Sequence, residues 1–320
     1  MKHPPYPLRQ NKAVDRFMLI DIIRQLEKFY DISEYTYYSL GGPYLEDFRL
    51  LYDFCPTVKM VSIESDLDTL KRQKFHLPCG HLELVLDEFT SFLANYDSNE
   101  RKSIFWLDYI KLGFSEFSDY MTLLDRVQDH SIIKLTLRAE PKDYLDQNPE
   151  VVSQKLKAFQ KEFEEILPSW TTVPSLTFED HASLIQDMVR IASQKILPAT
   201  GGRILQPLSS FCYADSVGMY TFTGVVCSLE DAKKYRKQFS KWPFANLDWS
   251  KPKIIDVPFL STKERLHLQK FLPSRQRNKG RHLLKKLGYS IDNTDEMSAT
   301  KLSHYADFHR YYPYFVKAIP

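Results

Sequence analysis

Glycine is scarce in this chain, with ten in 320 residues, so long flexible linkers, which are built from glycine and serine, are not expected. Cysteine is scarcer still, and Cys55, Cys79, Cys212 and Cys227 show no close paired spacing. That usage argues against a disulfide framework and for reduced thiols in a cytoplasmic protein. No apolar run approaches the ~20 residues that a membrane span needs. The opening stretch MKHPPYPLRQNK is basic but has no apolar segment of the signal-peptide kind. There is no Gly-x-Ser-x-Gly elbow and no glycine-lysine phosphate loop, which weakens hydrolase and nucleotide-hydrolysing readings. Internal repeats and low-complexity tracts are also absent.

The length suits one large domain with additions, or two domains. A composition of 43% hydrophobic and 26% charged residues is that of a soluble globular chain. Aromatics reach 14%, enough for a well-packed core plus aromatic binding surface. The net charge is only +2, but residues 251–290 hold eleven Lys/Arg against two Asp/Glu, a local balance of +9 that leaves −7 for the rest. Such asymmetry says more than the total.

Residues 13–30 carry apolar positions Phe17, Leu19, Ile20, Ile23 and Leu26 at helical spacing. SEYTYYSL (33–40), VKMVSIE (58–64), HLELVLD (81–87), SIFWLDY (103–109) and SIIKLTLRAE (131–140) read as strands, with EFTSFLANY continuing the third. Helices fall between them: one after Gly41-Gly42, one capped by Asp66, and one over 115–128 capped by Ser115. This alternation predicts parallel β-α-β units with right-handed crossovers. Residues 149–198 read as a polar helical insertion with a break near Pro168 and Pro174. Residues 201–214 and 219–228 return to strand character, and their short connection predicts an antiparallel hairpin. Ser228 with Asp231, and the capping box Ser261/Glu264, each start a helix. Past Trp242 the chain is irregular, then basic and helical, then densely aromatic.

Five alternating strands and helices followed by an antiparallel hairpin resemble the class I S-adenosylmethionine-dependent methyltransferases. The likeness covers residues 13–240 with the insertion at 149–198, and rests on element order and on acids at strand ends. It implies an α/β, Rossmann-like methyltransferase sheet of parallel strands plus an antiparallel C-terminal hairpin. Residues 1–240 would form the methyltransferase-like domain and 241–320 a basic, aromatic C-terminal extension. The family's glycine-rich turn corresponds to Ser39-Leu40-Gly41-Gly42-Pro43. Glycines let the backbone approach a ligand, but the usual preceding acid and a third glycine are missing, and Pro43 removes a donor. Glu64 lies 22 residues past Gly42, the spacing of a ribose-binding acid, with Asp66 as the fallback. Asp87 corresponds to the position beside the adenine ring, with Glu88 competing. Asp108 closes the fourth strand, where the resemblance puts the reaction centre and where a carboxylate can orient an acceptor or take its proton. The stretch it opens, DYIK (108–111), lacks the proline-aromatic pattern of amino-methylating DNA enzymes, so the acceptor is read as an oxygen.

Other groupings carry less. His76, Cys79 and His81 could offer three metal ligands, but no partner motif completes a site, and a tight loop explains them. Glu179-Asp180-His181 sits at a helix start, where capping by Thr177 and Asp180 accounts for it better than catalysis by His181. Arg275, Arg277, Lys279, Arg281, Lys285 and Lys286 fall within twelve residues, a pattern that suits nucleic acid or an acidic protein. Tyr305, Phe308, Tyr311, Tyr312, Tyr314 and Phe315 would pack onto the body or form a protein interface. Two functional readings therefore stand. One is a working O-directed methyltransferase that uses S-adenosylmethionine. The other is a catalytically silent scaffold of the same fold that binds nucleic acid or a protein, as in a bacterial defence complex.

Overall fold

The expected alternation is realised almost element for element. The computed structural model describes residues 9–97, 101–144, 146–169 and 177–313. Helix α1 (Gln10–Leu26) leads into β1 (Tyr35–Ser39), α2 (Glu46–Phe54), β2 (Lys59–Glu64), α3 (Leu67–Phe75), β3 (Leu82–Leu86), α4 (Phe89–Asn95), β4 (Lys102–Asp108), α5 (Phe114–Arg126) and β5 (Ile132–Arg138). The helical insertion comprises α6 (Pro149–Glu162) and α7 (Phe178–Ile196). Strands β6 (Arg203–Ala214) and β7 (Gly218–Ser228) follow, then α8 (Leu229–Phe239), β8 (Lys253–Ile255), α9 (Thr262–Gln269), α10 (Lys279–Leu287) and α11 (Asp295–Phe308).

The sheet has the order β3-β2-β1-β4-β5-β7-β6-β8. Strands β1 to β5 pair in parallel, and β7 runs antiparallel to β5. The order reverses between β1 and β4. In open α/β sheets that switch point, at the carboxyl ends of the strands, is where ligands bind. Alternation along β1 sets the two faces apart. Tyr38 stacks on Phe105 at 4.5 Å beneath Phe92 of α4 and Tyr96, which caps that helix. Tyr37 points the other way and meets Phe48 of α2 edge-on.

Two expectations need correction. EFTSFLANY does not prolong β3; it forms α4. Phe89, Phe92, Leu93 and Tyr96 recur at helical spacing and turn inward while their neighbours are exposed. Ser115 does not cap α5, which starts at Phe114 from an N-cap at Gly113. Its hydroxyl donates instead to Glu116, and the Phe114 N–H is taken by the Glu162 carboxylate of the insertion at 3.0 Å. The caps expected at Asp66, Thr177, Ser228 and Ser261 are all formed.

The chain gathers into two compact units, one of residues 19–212 and 218–253, the other of residues 9–18, 213–217 and 254–313 among those described. The second unit holds the basic segment and most of the aromatic stretch. Tyr305, Phe308 and Tyr312 are buried within it. The Tyr312 hydroxyl donates to Pro258 O and accepts from Leu260 N, and Tyr311 lies 6.5 Å from Phe17. Tyr314 and Phe315 lie outside the described residues. No helix among the described residues is long and apolar enough to cross a membrane.

Candidate active site

The turn after β1 is built around two glycines in the left-handed region, Gly41 at φ 69° and Gly42 at φ 91°. A Cβ on Gly41 would stand 2.4 Å from Ser62 Oγ and 2.6 Å from Gln73 Nε2. Glycine is thus required there twice, by dihedral and by space. The turn then enters α2 through Leu45, itself at φ 52°.

Gln73 ties the turn to Glu64. It is fully buried, at 0% exposure, on the inner side of α3 beside Leu70. Its amide nitrogen lies 3.3 Å from the Gly42 carbonyl and 3.5 Å from Glu64 Oε2, donating to both. Its oxygen accepts from Ser62 Oγ at 3.2 Å. Glu64 Oε1 accepts from the Asp66 N–H at 3.0 Å. Partial burial raises the Glu64 carboxyl above the usual range, opposed by backbone N–H groups and reinforced by the nearby charges of Asp66 and Glu88. Asp66, the fallback for the ribose acid, is committed to capping α3 through Thr69 N at 2.7 Å, which holds its carboxyl low.

The Asp87 N–H donates to the Glu64 carbonyl at 3.1 Å, so the end of β3 runs beside the ribose-type acid. The half-buried Asp87 carboxylate has no bonded partner among the described residues, while Glu88 is exposed at the start of α4. Across the switch point, Asp108 ends β4 and pairs in register with Thr136. Its charge, together with that of Asp47, helps hold the buried Tyr37 hydroxyl in its protonated form, although burial is the larger cause. Tyr37 donates to Asp47 Oδ2 at 2.6 Å. Glu64, Asp87, Asp47 and Asp108 therefore share one edge of the sheet. Asp47, in the first turn of α2, supplies an acid after the glycines where the sequence lacks one before them.

Farther along the same face lies a polar network that the sequence reading missed. Lys134 of β5 is buried, at 1% exposure. Its ammonium donates to Thr221 Oγ1 at 2.8 Å and lies 4.9 Å from the Trp106 ring centroid. Trp106 Nε1 donates to Thr136 Oγ1 at 3.0 Å, and Thr136 bonds Thr221 at 3.2 Å. Thr136 links this network to Asp108 through the β4–β5 register. A lysine in an alternating strand reads as solvent-facing, but inner strands of a covered parallel sheet bury both faces. The only signal in the sequence was the polar run Lys134, Thr136, Thr221, Thr223 on one face. On the loop after β4, Tyr109 donates to Asp119 at 2.9 Å.

His181 is buried, at 1% exposure, beside the Tyr144 ring, and neither ring nitrogen has a hydrogen-bond partner among the described residues. Burial pulls it down to about 4. His76, Cys79 and His81 stay near the chain turn between α3 and β3, with Cys79 Sγ 3.6 Å from His81 Nε2. No three potential metal ligands converge among the described residues.

A family model described as "Putative O-methyltransferase" matches residues 4–320. No curated protein matches. Among solved structures, the chain is similar to Trm1 from Pyrococcus horikoshii in complex with S-adenosyl-L-methionine, at 11% identity and TM-score 0.47, covering 74% of this chain and 61% of that one. The chain thus spans about three-fifths of the length of Trm1. It is also similar to a probable spermidine synthase from Corynebacterium glutamicum, at 11% identity and TM-score 0.39 over 78% and 82% of the two chains. A third is the S-adenosylmethionine-dependent methyltransferase SibL, at 9% identity and TM-score 0.37 over 66% and 54%.

Proposed function

The chain belongs to this O-methyltransferase family, and we propose that it moves a methyl group onto an oxygen acceptor from S-adenosylmethionine held at Gly41, Gly42, Glu64 and Asp87, with Asp108 at the reacting end. The observation that carries this reading is the junction at Gln73, which joins the glycine turn to the acid of β2 at the switch point of the sheet. The residues present suit the cofactor. Gly41 and Gly42 leave the backbone bare where a nucleotide would approach. Glu64 accepts hydroxyl donors, and Asp87 keeps an unpaired carboxylate beside it. The carboxylates of Asp47 and Asp108 give this end of the sheet the negative potential that a sulfonium favours.

The cofactor supplies an electrophilic methyl group on a positively charged sulfur. The chain's part is to position and to handle the proton. Gln73 fixes the spacing between turn and acid, so that the bound molecule meets a preformed cradle. Asp108, set by the β4–β5 register, is aimed to orient an acceptor hydroxyl and accept its proton as the oxygen–carbon bond forms. The scaffold reading of the same fold separates from this one in a single experiment. Calorimetric titration with S-adenosylmethionine and S-adenosylhomocysteine is expected to give micromolar binding that Glu64→Ala abolishes and Lys285→Ala leaves intact. Absence of binding at millimolar ligand would overturn the enzyme reading in favour of a scaffold.

A further inference from the structure

Residues 265–291 contain eight Lys/Arg and no Asp or Glu. Arg265 and Lys279 are used internally. The Arg265 guanidinium is buried, donates to Pro313 O and lies over the Tyr312 ring. Lys279 pairs with Asp307 of α11. The other six differ: Lys270, at the end of α9, and Arg275, Arg277, Arg281, Lys285 and Lys286 are exposed, and none has a carboxylate partner among the described residues.

Helix α10 explains how they are displayed. Gly280 and Leu283 are buried, with Gly280 so close to α11 that a Cβ would stand 1.9 Å from the Ala299 carbonyl oxygen. With that face sealed, helical periodicity turns Arg281, His282, Lys285 and Lys286 outward together. Arg275 and Arg277 continue the stripe into the segment before the helix.

The last-turn Lys285 and Lys286 suit the helix dipole, but Arg281 works against local stability. Like charges at Arg281 and Lys285, four apart, repel. Arg281 also stands in the first turn, where the helix dipole disfavours cations. An ordinary solvated face mixes both signs. Three of the five are arginine forks, suited to planar phosphate recognition; just past the helix, Tyr289 is 53% exposed and fixed through its hydroxyl to Glu264.

We propose that the outward face of α10, with Arg275 and Arg277, is a docking surface for the phosphate backbone of a polynucleotide. The contact is electrostatic and independent of base sequence, with Tyr289 placed to stack on an unpaired base. Five neutralised phosphates predict a salt slope of about −3.5 on a single strand and about −4.5 on a duplex. Affinity should then fall roughly 100- to 500-fold between about 50 and 200 mM salt.

The test is fluorescence anisotropy of the full chain with labelled single-stranded RNA, single-stranded DNA and duplex DNA across that salt range. Binding with the stated slope is expected, the slope reporting which form is preferred. Arg281→Gln with Lys285→Gln should reduce the slope by about 1.4 to 1.8, and replacing all five cations by glutamine should remove binding while circular dichroism and the thermal midpoint hold. Lys279→Gln, which breaks only the internal pair, should leave the slope unchanged. The proposal is overturned if no oligonucleotide binds at low salt, if binding survives in the five-fold variant, or if poly-glutamate of equal charge displaces the oligonucleotide as well as unlabelled RNA does. The last result would identify an acidic protein as the partner.

Discussion

In the sheet unit, arginines are spent on joining the chain to itself. Arg138 grips Asp143 with two bonds of 2.5 and 2.8 Å, Arg203 reaches Asp129 at 2.6 Å, and Arg236 pairs with Asp248. Each pair fastens a strand or helix to a neighbouring loop. In the C-terminal unit, five cations in twelve residues have no carboxylate partner among the described residues, and only Lys286, 4.9 Å from the Phe271 ring centroid, touches a neighbouring side chain. The same side-chain chemistry thus serves architecture in one region and is held in reserve in the other. Pairing with a carboxylate marks what a fold needs; a one-sign cluster without such pairs marks what a partner needs.

The contrast extends to glycine, and there it is largest. In the C-terminal unit, a methyl at Gly280 meets the Ala299 backbone at 1.9 Å, and backbone cannot swing aside. Gly280→Ala should force α10 from α11 and cost about 3 kcal/mol in urea unfolding, the upper end for overpacking. In the sheet unit, a methyl at Gly41 meets the ends of Ser62 and Gln73, which can move, so Gly41→Ala should cost only about 1–2 kcal/mol, mostly backbone strain. It should nevertheless weaken cofactor binding about tenfold or more, because moving Gln73 releases Glu64. A larger stability loss at Gly41 than at Gly280 would break the comparison.

Burial without a partner gives the next effect. His181 is held neutral, at about 4 against the ordinary 6.5. As pH falls below 6.5 the unfolded chain takes up a proton that the folded chain refuses until about 4, so this contribution to stability is whole above 6.5 and is lost on the way down. At about 1.4 kcal/mol per pH unit the loss approaches 2–3 kcal/mol. His181→Leu should flatten this acid limb in urea titrations at successive pH values and cost little at neutral pH, since it removes a polar group that has no partner. An unchanged limb would place the acid sensitivity elsewhere.

The elements were largely legible in the sequence because apolar periodicity and caps are local signals. Asp66 and the Ser261/Glu264 box announced helices that form as read. The strand-end positions of Glu64 and Asp108 were legible because they need only the strand to be seen. Gln73 and Lys134 were not. Both are polar residues whose burial depends on what folds over them, and only the Leu70–Gln73 spacing hinted that Gln73 faces inward. Asp47 was hidden for a related reason. It lies after the glycines rather than before them, and only the turn through Leu45 carries it back to Tyr37. α4 was misread because an apolar run of Phe and Leu suits strand and helix alike, and only the burial of every third or fourth residue decides between them.

The smallest effect is the most direct check on the charge comparison. If Arg275, Arg277, Arg281, Lys285 and Lys286 served the fold, replacing them by glutamine would destabilise it. Their lack of carboxylate partners among the described residues argues the reverse. Arg281→Gln alone, which removes both the repulsion with Lys285 and the cation in the first turn of α10 while leaving Lys285 and Lys286 in the last turn, where the dipole favours them, should raise stability slightly, by about 0.2–0.5 kcal/mol at low salt. The gain should fade at about 1 M salt, where screening reaches within ~3 Å. Breaking Lys279–Asp307 with Lys279→Gln should move stability the opposite way by a similar amount, as expected for one partly exposed pair. Opposite signs from neighbouring cations on one helix would show that α10 keeps Lys279 for its own packing and turns Arg281 toward something else.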